Sequence, residues 1–147
     1  MKKLSLLLVF VLLLGFVAVS CGEDDEEFLT IGFTFTNTDN SIQDFFFTQP
    51  NQFVMDRYAN AADKEAGAVS TGQGNRTGTF VDNENGTVTI TIVTGGGAGG
   101  PWTFNYGGTD ATLFTSSAPY TLSMRNVTDA VVTVPNGLPN GIVRISN

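Results

Sequence analysis

The chain has 147 residues, of which 41% are hydrophobic and 14% charged, with no histidine and one cysteine. A net charge of −7 leaves no basic patch to displace counterions from phosphate, which excludes nucleic acid as a partner. The single cysteine excludes an internal disulfide, and the lack of histidine removes Ser-His-Asp and Cys-His machineries and most zinc sites. Thr, Asn and Gly take the place of the missing charges, which suits solvent-facing strand positions and tight turns.

Residues 1–20 read as a signal peptide. Lys2 and Lys3 form a positive start, and 4–19 is almost wholly apolar, interrupted only by Ser5 and Gly15. That run falls short of the roughly 20 residues a membrane-spanning helix needs, and no basic stop-transfer cluster follows. Cys21 stands where the apolar run ends, after Ala18, Val19 and Ser20. This arrangement resembles the lipobox of bacterial lipoproteins, with Ala18 where a large aliphatic is usual. The resemblance implies cleavage before Cys21 and acyl chains, palmitate among them, on that cysteine. It implies anchoring in the cell outer membrane, since several buried acyl chains hold a protein stably.

Glu23, Asp24, Asp25, Glu26 and Glu27 follow. The run resembles the export signal of surface lipoproteins in the Bacteroidetes group, which implies a surface-exposed domain. Read from charge alone, it is a solvated spacer kept extended by self-repulsion, which fits a domain facing the periplasm equally well. Residues 21–27 are therefore the lipidated cysteine and tether, and 28–147 a single domain.

Within that domain Leu29, Ile31, Phe33 and Phe35 alternate with small polar residues, the period-2 pattern of a half-buried strand over 29–36. A turn is expected at 37–40. Phe45, Phe46 and Phe47 suggest a short strand buried on both faces or at an edge, ended by Pro50. Over 52–66, Phe53, Val54, Arg57, Tyr58, Ala61 and Ala62 recur at helical spacing, so a short helix is favoured there over a strand at 53–58. Residues 67–77 read as a loop. Strands are expected at 78–82 and 87–94 around an Asn-Gly turn, then at 102–106, 111–115, 120–124, 130–134 and 141–146, with a glycine-rich loop at 95–100. The expected fold is all-β: a small antiparallel barrel or a β-sandwich of about eight or nine short strands.

The segment from Asn85-Gly86-Thr87-Val88 through Trp102-Thr103-Phe104-Asn105-Tyr106, Ala111-Thr112-Leu113 and Asn126-Val127-Thr128-Asp129 resembles the later strands of lipocalin-like domains in such lipoproteins. The first strand departs from that pattern, with Gly32-Phe33 in place of Gly-x-Trp. The resemblance implies a barrel in which Phe33, Phe35, Ile90 and Trp102 line a cavity, although a small barrel can equally be filled by its own side chains.

The chemistry available is limited. Trp102 and Tyr106 share a strand face, so an exposed pair could stack on a glycan or another flat ligand, while buried they would be core. Asp44, Asp56, Asp110 and Asp129 are the scattered carboxylates from which an enzyme would have to be built. Asp82 to Gly86 and Asn37 to Ser41 offer oxygen ligands for calcium but serve more simply as hairpin turns. The expectation is a non-catalytic module with no cofactor and no metal. It would bind a small apolar ligand or a glycan through Trp102, Tyr106, Phe33 and Phe35, or act as an accessory protein contacting another envelope protein.

Overall fold

The computed structural model describes residues 28–70, 74–95, 100–115, 120–135 and 143–146. The leader, Cys21 and the acidic run lie outside the described residues, as do most of the glycine-rich loop and both Asn-Gly pairs near the C-terminus.

Six strands follow one another as a meander: β1 (Thr30–Asn37), β2 (Ile42–Thr48), β3 (Gln52–Tyr58), β4 (Asn75–Asp82), β5 (Thr87–Thr94) and β6 (Trp102–Asn105). A five-residue helix, α1 (Ala61–Glu65), sits between β3 and β4. The chain then forms β7 (Thr121–Ser123), β8 (Val127–Thr133) and β9 (Arg144–Ser146). β8 returns to pair with β1, giving one antiparallel sheet in the order β6-β5-β4-β3-β2-β1-β8, curled into a half-barrel. One curled sheet is the barrel-like alternative, not a two-layer sandwich. β7 and β9 pair in parallel and span the open side, β7 against β6 and β9 against β8.

Alternation places Ile31, Phe33, Phe35, Phe45, Phe47, Phe53, Met55, Phe80, Val88, Ile90 and Phe104 on the concave face, all buried. Their rings meet edge to face: Phe33 lies 5.8 Å from Phe47 and 5.0 Å from Phe104, and Phe47 lies 5.3 Å from Phe80. Such contacts add about 0.5–1.5 kcal/mol per pair beyond the area they bury. The convex face is mostly threonine, with cross-strand hydroxyl bonds between Thr30 and Thr48 and between Thr77 and Thr94.

Three local expectations are corrected. Residues 52–58 are a strand, because Phe53 and Met55 point into the core and the segment pairs with neighbours on both sides. The helix begins only at Ala61, where the Asn60 side chain accepts the Asp63 N–H at 3.0 Å. The three phenylalanines of β2 lie on an interior strand: Phe45 and Phe47 face the core, and Phe46 lies outside over Gly32. Residues 111–115 form turns, since the Leu113 N–H and the Ala111 carbonyl bond to Asp82 and Tyr106 rather than to a strand.

Candidate functional site

The two ends of the half-barrel are built differently. One end collects the start of β1, the β2–β3 and β4–β5 hairpins and the loop after β6. Phe28, the first of the described residues, lies at this end. The other end collects the β1–β2 turn, α1, the β5–β6 connection and the β7–β8 turn.

At the first end Asp82 acts as a staple. Its Oδ1 accepts the Tyr106 hydroxyl at 2.6 Å and the Glu84 N–H at 3.0 Å, and its Oδ2 accepts the Leu113 N–H at 2.6 Å. Tyr106 also donates to the Ala111 carbonyl at 2.9 Å. Burial, and then the bond to Asp82, push the Tyr106 phenol far above its ordinary value. Burial raises Tyr120 as well. Gly86, at φ 80°, lets the loop after β6 close on the hairpin: a Cβ there would meet the Gly108 carbonyl oxygen at 2.2 Å. The Asp82–Thr87 turn is held by its own Asx bonds, with Asn85 Oδ1 accepting the Thr87 N–H and hydroxyl. The oxygens weighed for calcium thus serve the turn.

Beside this staple opens a cleft of about 810 Å³, with Phe28, Pro50, Phe80, Val81 and Phe114 as its apolar lining and Gln49, Asn51 and Asp82 as its polar one. Phe28 is 51% exposed and Val81 63%. Phe114 leans on Phe80 at 6.2 Å, which joins the cleft wall to the core.

The other end is polar. Arg57 and Arg76 point to the concave side from adjacent strands, at the same mouth as Gln43, which pairs with Arg57. Arg57 reaches Asp39 at 3.6 Å and Ser41 Oγ at 3.4 Å. The Ser41 hydroxyl and N–H, with Arg57 adding charge, hold the Asp39 carboxyl below its usual value. Arg76 lies over the Trp102 ring, 4.8 Å from its centroid.

Trp102 is half-buried and packs against the core, and Arg76 covers its ring. Tyr106, Phe33 and Phe35 are fully buried in the aromatic cluster. Trp102 and Tyr106 share the inner face as expected, yet they form no exposed row. Phe45, Phe47, Phe80 and Phe104 pack around Phe33 and Phe35 on the concave face. The cleft residues Gln49, Pro50, Asn51, Phe80 and Phe114 were not singled out in sequence, and nothing in their spacing announces a shared wall.

No protein-family model, curated protein or solved structure matches the chain. Three of the four carboxylates weighed for catalysis are separately engaged. Asp44 is buried, accepts Lys64 Nζ at 2.6 Å and the Thr34 hydroxyl at 2.7 Å, and so latches α1 to the convex face. Asp56, opposite Asp44 in register, accepts Asn75 Nδ2 at 2.7 Å. Asp129 accepts the Ala130 N–H from an exposed position on β8, and Asp110 lies in an exposed turn.

Proposed function

We propose that this chain is a lipid-anchored lipoprotein of the cell outer membrane, carrying a non-catalytic β domain that binds a small apolar molecule. The observation that carries the binding is the aromatic cleft of about 810 Å³ at the end where the tether joins. Its volume falls within the usual range for small-ligand sites, and its mixture of apolar walls and a few polar groups fits their chemistry. The anchor rests on Cys21 at the end of the apolar leader, and surface exposure rests on the acidic run Glu23 to Glu27. Phe28 lies seven positions after Cys21, so the cleft stands within about 25 Å of the lipid, even with the tether fully extended. An apolar ligand leaving or entering the bilayer would meet this end first.

Two measurements test the reading. Palmitate labelling should mark the protein and fail with Cys21→Ser, and protease added to intact cells should remove the domain. A fluorescent fatty acid should bind the domain saturably, and Phe114→Asp should weaken binding about tenfold or more by placing a charge in the apolar wall. Unaltered binding by a folded Phe114→Asp variant would reject the cleft.

A further inference from the structure

At the far end the β1–β2 turn meets the β7–β8 turn, because β8 runs antiparallel to β1 and their register ends with Asn37 opposite Val127. The contact continues past the strands. The Thr38 N–H donates to the Asn126 carbonyl at 2.9 Å, and the Thr128 hydroxyl donates to the Thr36 carbonyl at 3.1 Å. Asn126 sits at φ 63°, a left-handed conformation that asparagine tolerates. Between the two turns opens a second cleft, of about 570 Å³, lined by Thr38, Arg125, Asn126, Val127, Thr128 and Ile145. Hydrogen bonds to backbone hold its frame, and a frame set in advance lowers the cost of ordering a site around a ligand.

The side chains on that frame are not spent on it. At three other turns a polar side chain bonds nearby backbone: Asp39 accepts the Ser41 N–H, Asn60 the Asp63 N–H and Asn85 the Thr87 N–H. Here the Thr38 hydroxyl, the Arg125 guanidinium and the Asn126 amide make no hydrogen bond among the described residues. Arg57 and Lys64 are held in ion pairs and Arg76 lies over Trp102. Arg125, by contrast, is exposed and meets no carboxylate among the described residues. Of the acids beside these segments, Asp39 is engaged by Ser41 and Arg57, and Asp129 by the Ala130 N–H.

The lining selects a ligand by its chemistry. A guanidinium offers two parallel N–H donors, which match the two oxygens of a planar carboxylate. A carboxamide and two hydroxyls both donate and accept, which suits a ligand rich in hydroxyls. Val127 and Ile145 add an apolar, non-aromatic surface. We infer that this cleft binds a sugar acid. Arg125 takes the carboxylate, Asn126, Thr38 and Thr128 take hydroxyls, and Val127 and Ile145 meet the C–H face of the ring. A neutral sugar would leave the guanidinium unpaired, and a bare carboxylate would leave the amide and hydroxyls unused. The site lies at the opposite end from the apolar cleft and stands independently of it.

Calorimetric titration of the mature protein tests this directly. The probes are glucuronate and galacturonate, which differ at one hydroxyl, with glucose and acetate for comparison. At least one of the two sugar acids should bind saturably, and glucose and acetate at least about tenfold more weakly than it does. Arg125→Gln should lower the affinity for that sugar acid at least about tenfold. Asn126→Gly keeps the left-handed backbone and loses the amide, and should weaken binding by a smaller factor. Arg144→Gln removes another exposed arginine that lines no part of the cleft, and should bind as the parent does. The inference is overturned if neither sugar acid binds, if glucose or acetate binds as tightly as they do, if a folded Arg125→Gln binds like the parent, or if Arg144→Gln loses as much affinity as Arg125→Gln.

Discussion

The two ends of the half-barrel share one core and have little else in common. At the Phe28 end a half-buried carboxylate is saturated: Asp82 accepts three hydrogen bonds, two from backbone N–H groups and one from Tyr106, and fastens the loop after β6 to the β4–β5 hairpin. At the far end a buried guanidinium nitrogen has no partner. A polar group that is fully satisfied rigidifies its surroundings, and one that is buried without a partner carries a desolvation cost. The saturated end therefore makes a rigid frame beside an apolar cleft, and the far end gathers Arg57, Arg76 and the ring of Trp102. Between them lies the cluster of buried aromatic and aliphatic side chains.

That comparison can be broken in three ways. Phe33 touches Phe35, Phe47, Phe104 and Tyr120 in the shared core, so Phe33→Ala should destabilise both ends together. The expected loss is about 3–5 kcal/mol in urea unfolding. Asp82→Ala should cost less, about 2–4 kcal/mol, by leaving the Tyr106 hydroxyl and the Leu113 N–H unbonded. Its effect should stay local: amide shifts at 106–114, with Trp102 emission unchanged. An equal disturbance at Trp102 would show the two ends to be one unit. The smallest effect is a pH dependence. Burial and the bond to Asp82 make Tyr106 hold its proton in the folded state above the ordinary tyrosine value of about 10. The unfolded chain releases that proton first, so the contribution of Tyr106 to stability is constant below about pH 10 and falls as pH rises beyond it. Tyr106→Phe should flatten this alkaline fall in pH-dependent unfolding.

The strands were largely legible, because one buried face imposes strict alternation: Ile31, Phe33 and Phe35 in β1, and Val88, Ile90 and Ile92 in β5, declare which side faces the core. The misreading at 52–66 has a plain cause. Phe53, Tyr58 and Ala62 satisfy helical spacing, while the decisive pairing with β2 and β4 is long-range. The segment 111–115 misled for a similar reason, since its apolar residues serve a loop pinned by a carboxylate about 30 positions earlier. The sites were less legible still. Trp102 was a visible candidate, but its covering by Arg76 required the fold to bring β4 and β6 to one mouth across β5. The tether-end cleft draws its wall from Phe28, Pro50, Phe80 and Phe114, residues from four separate segments that only the curl of the sheet assembles.

The cleft is tested most directly by position. Among the described residues every member of the core cluster lies between Ile31 and Ile145, so residues 22–147 keep that cluster and can be studied without the lipid. A spin-labelled fatty acid titrated into that 15N-labelled chain should broaden the amides of Phe28, Asn51, Val81 and Phe114 first and leave those around Arg76 sharp. Broadening centred on Trp102, spread evenly over the threonine face, or absent at saturation would contradict an apolar site at the tether end.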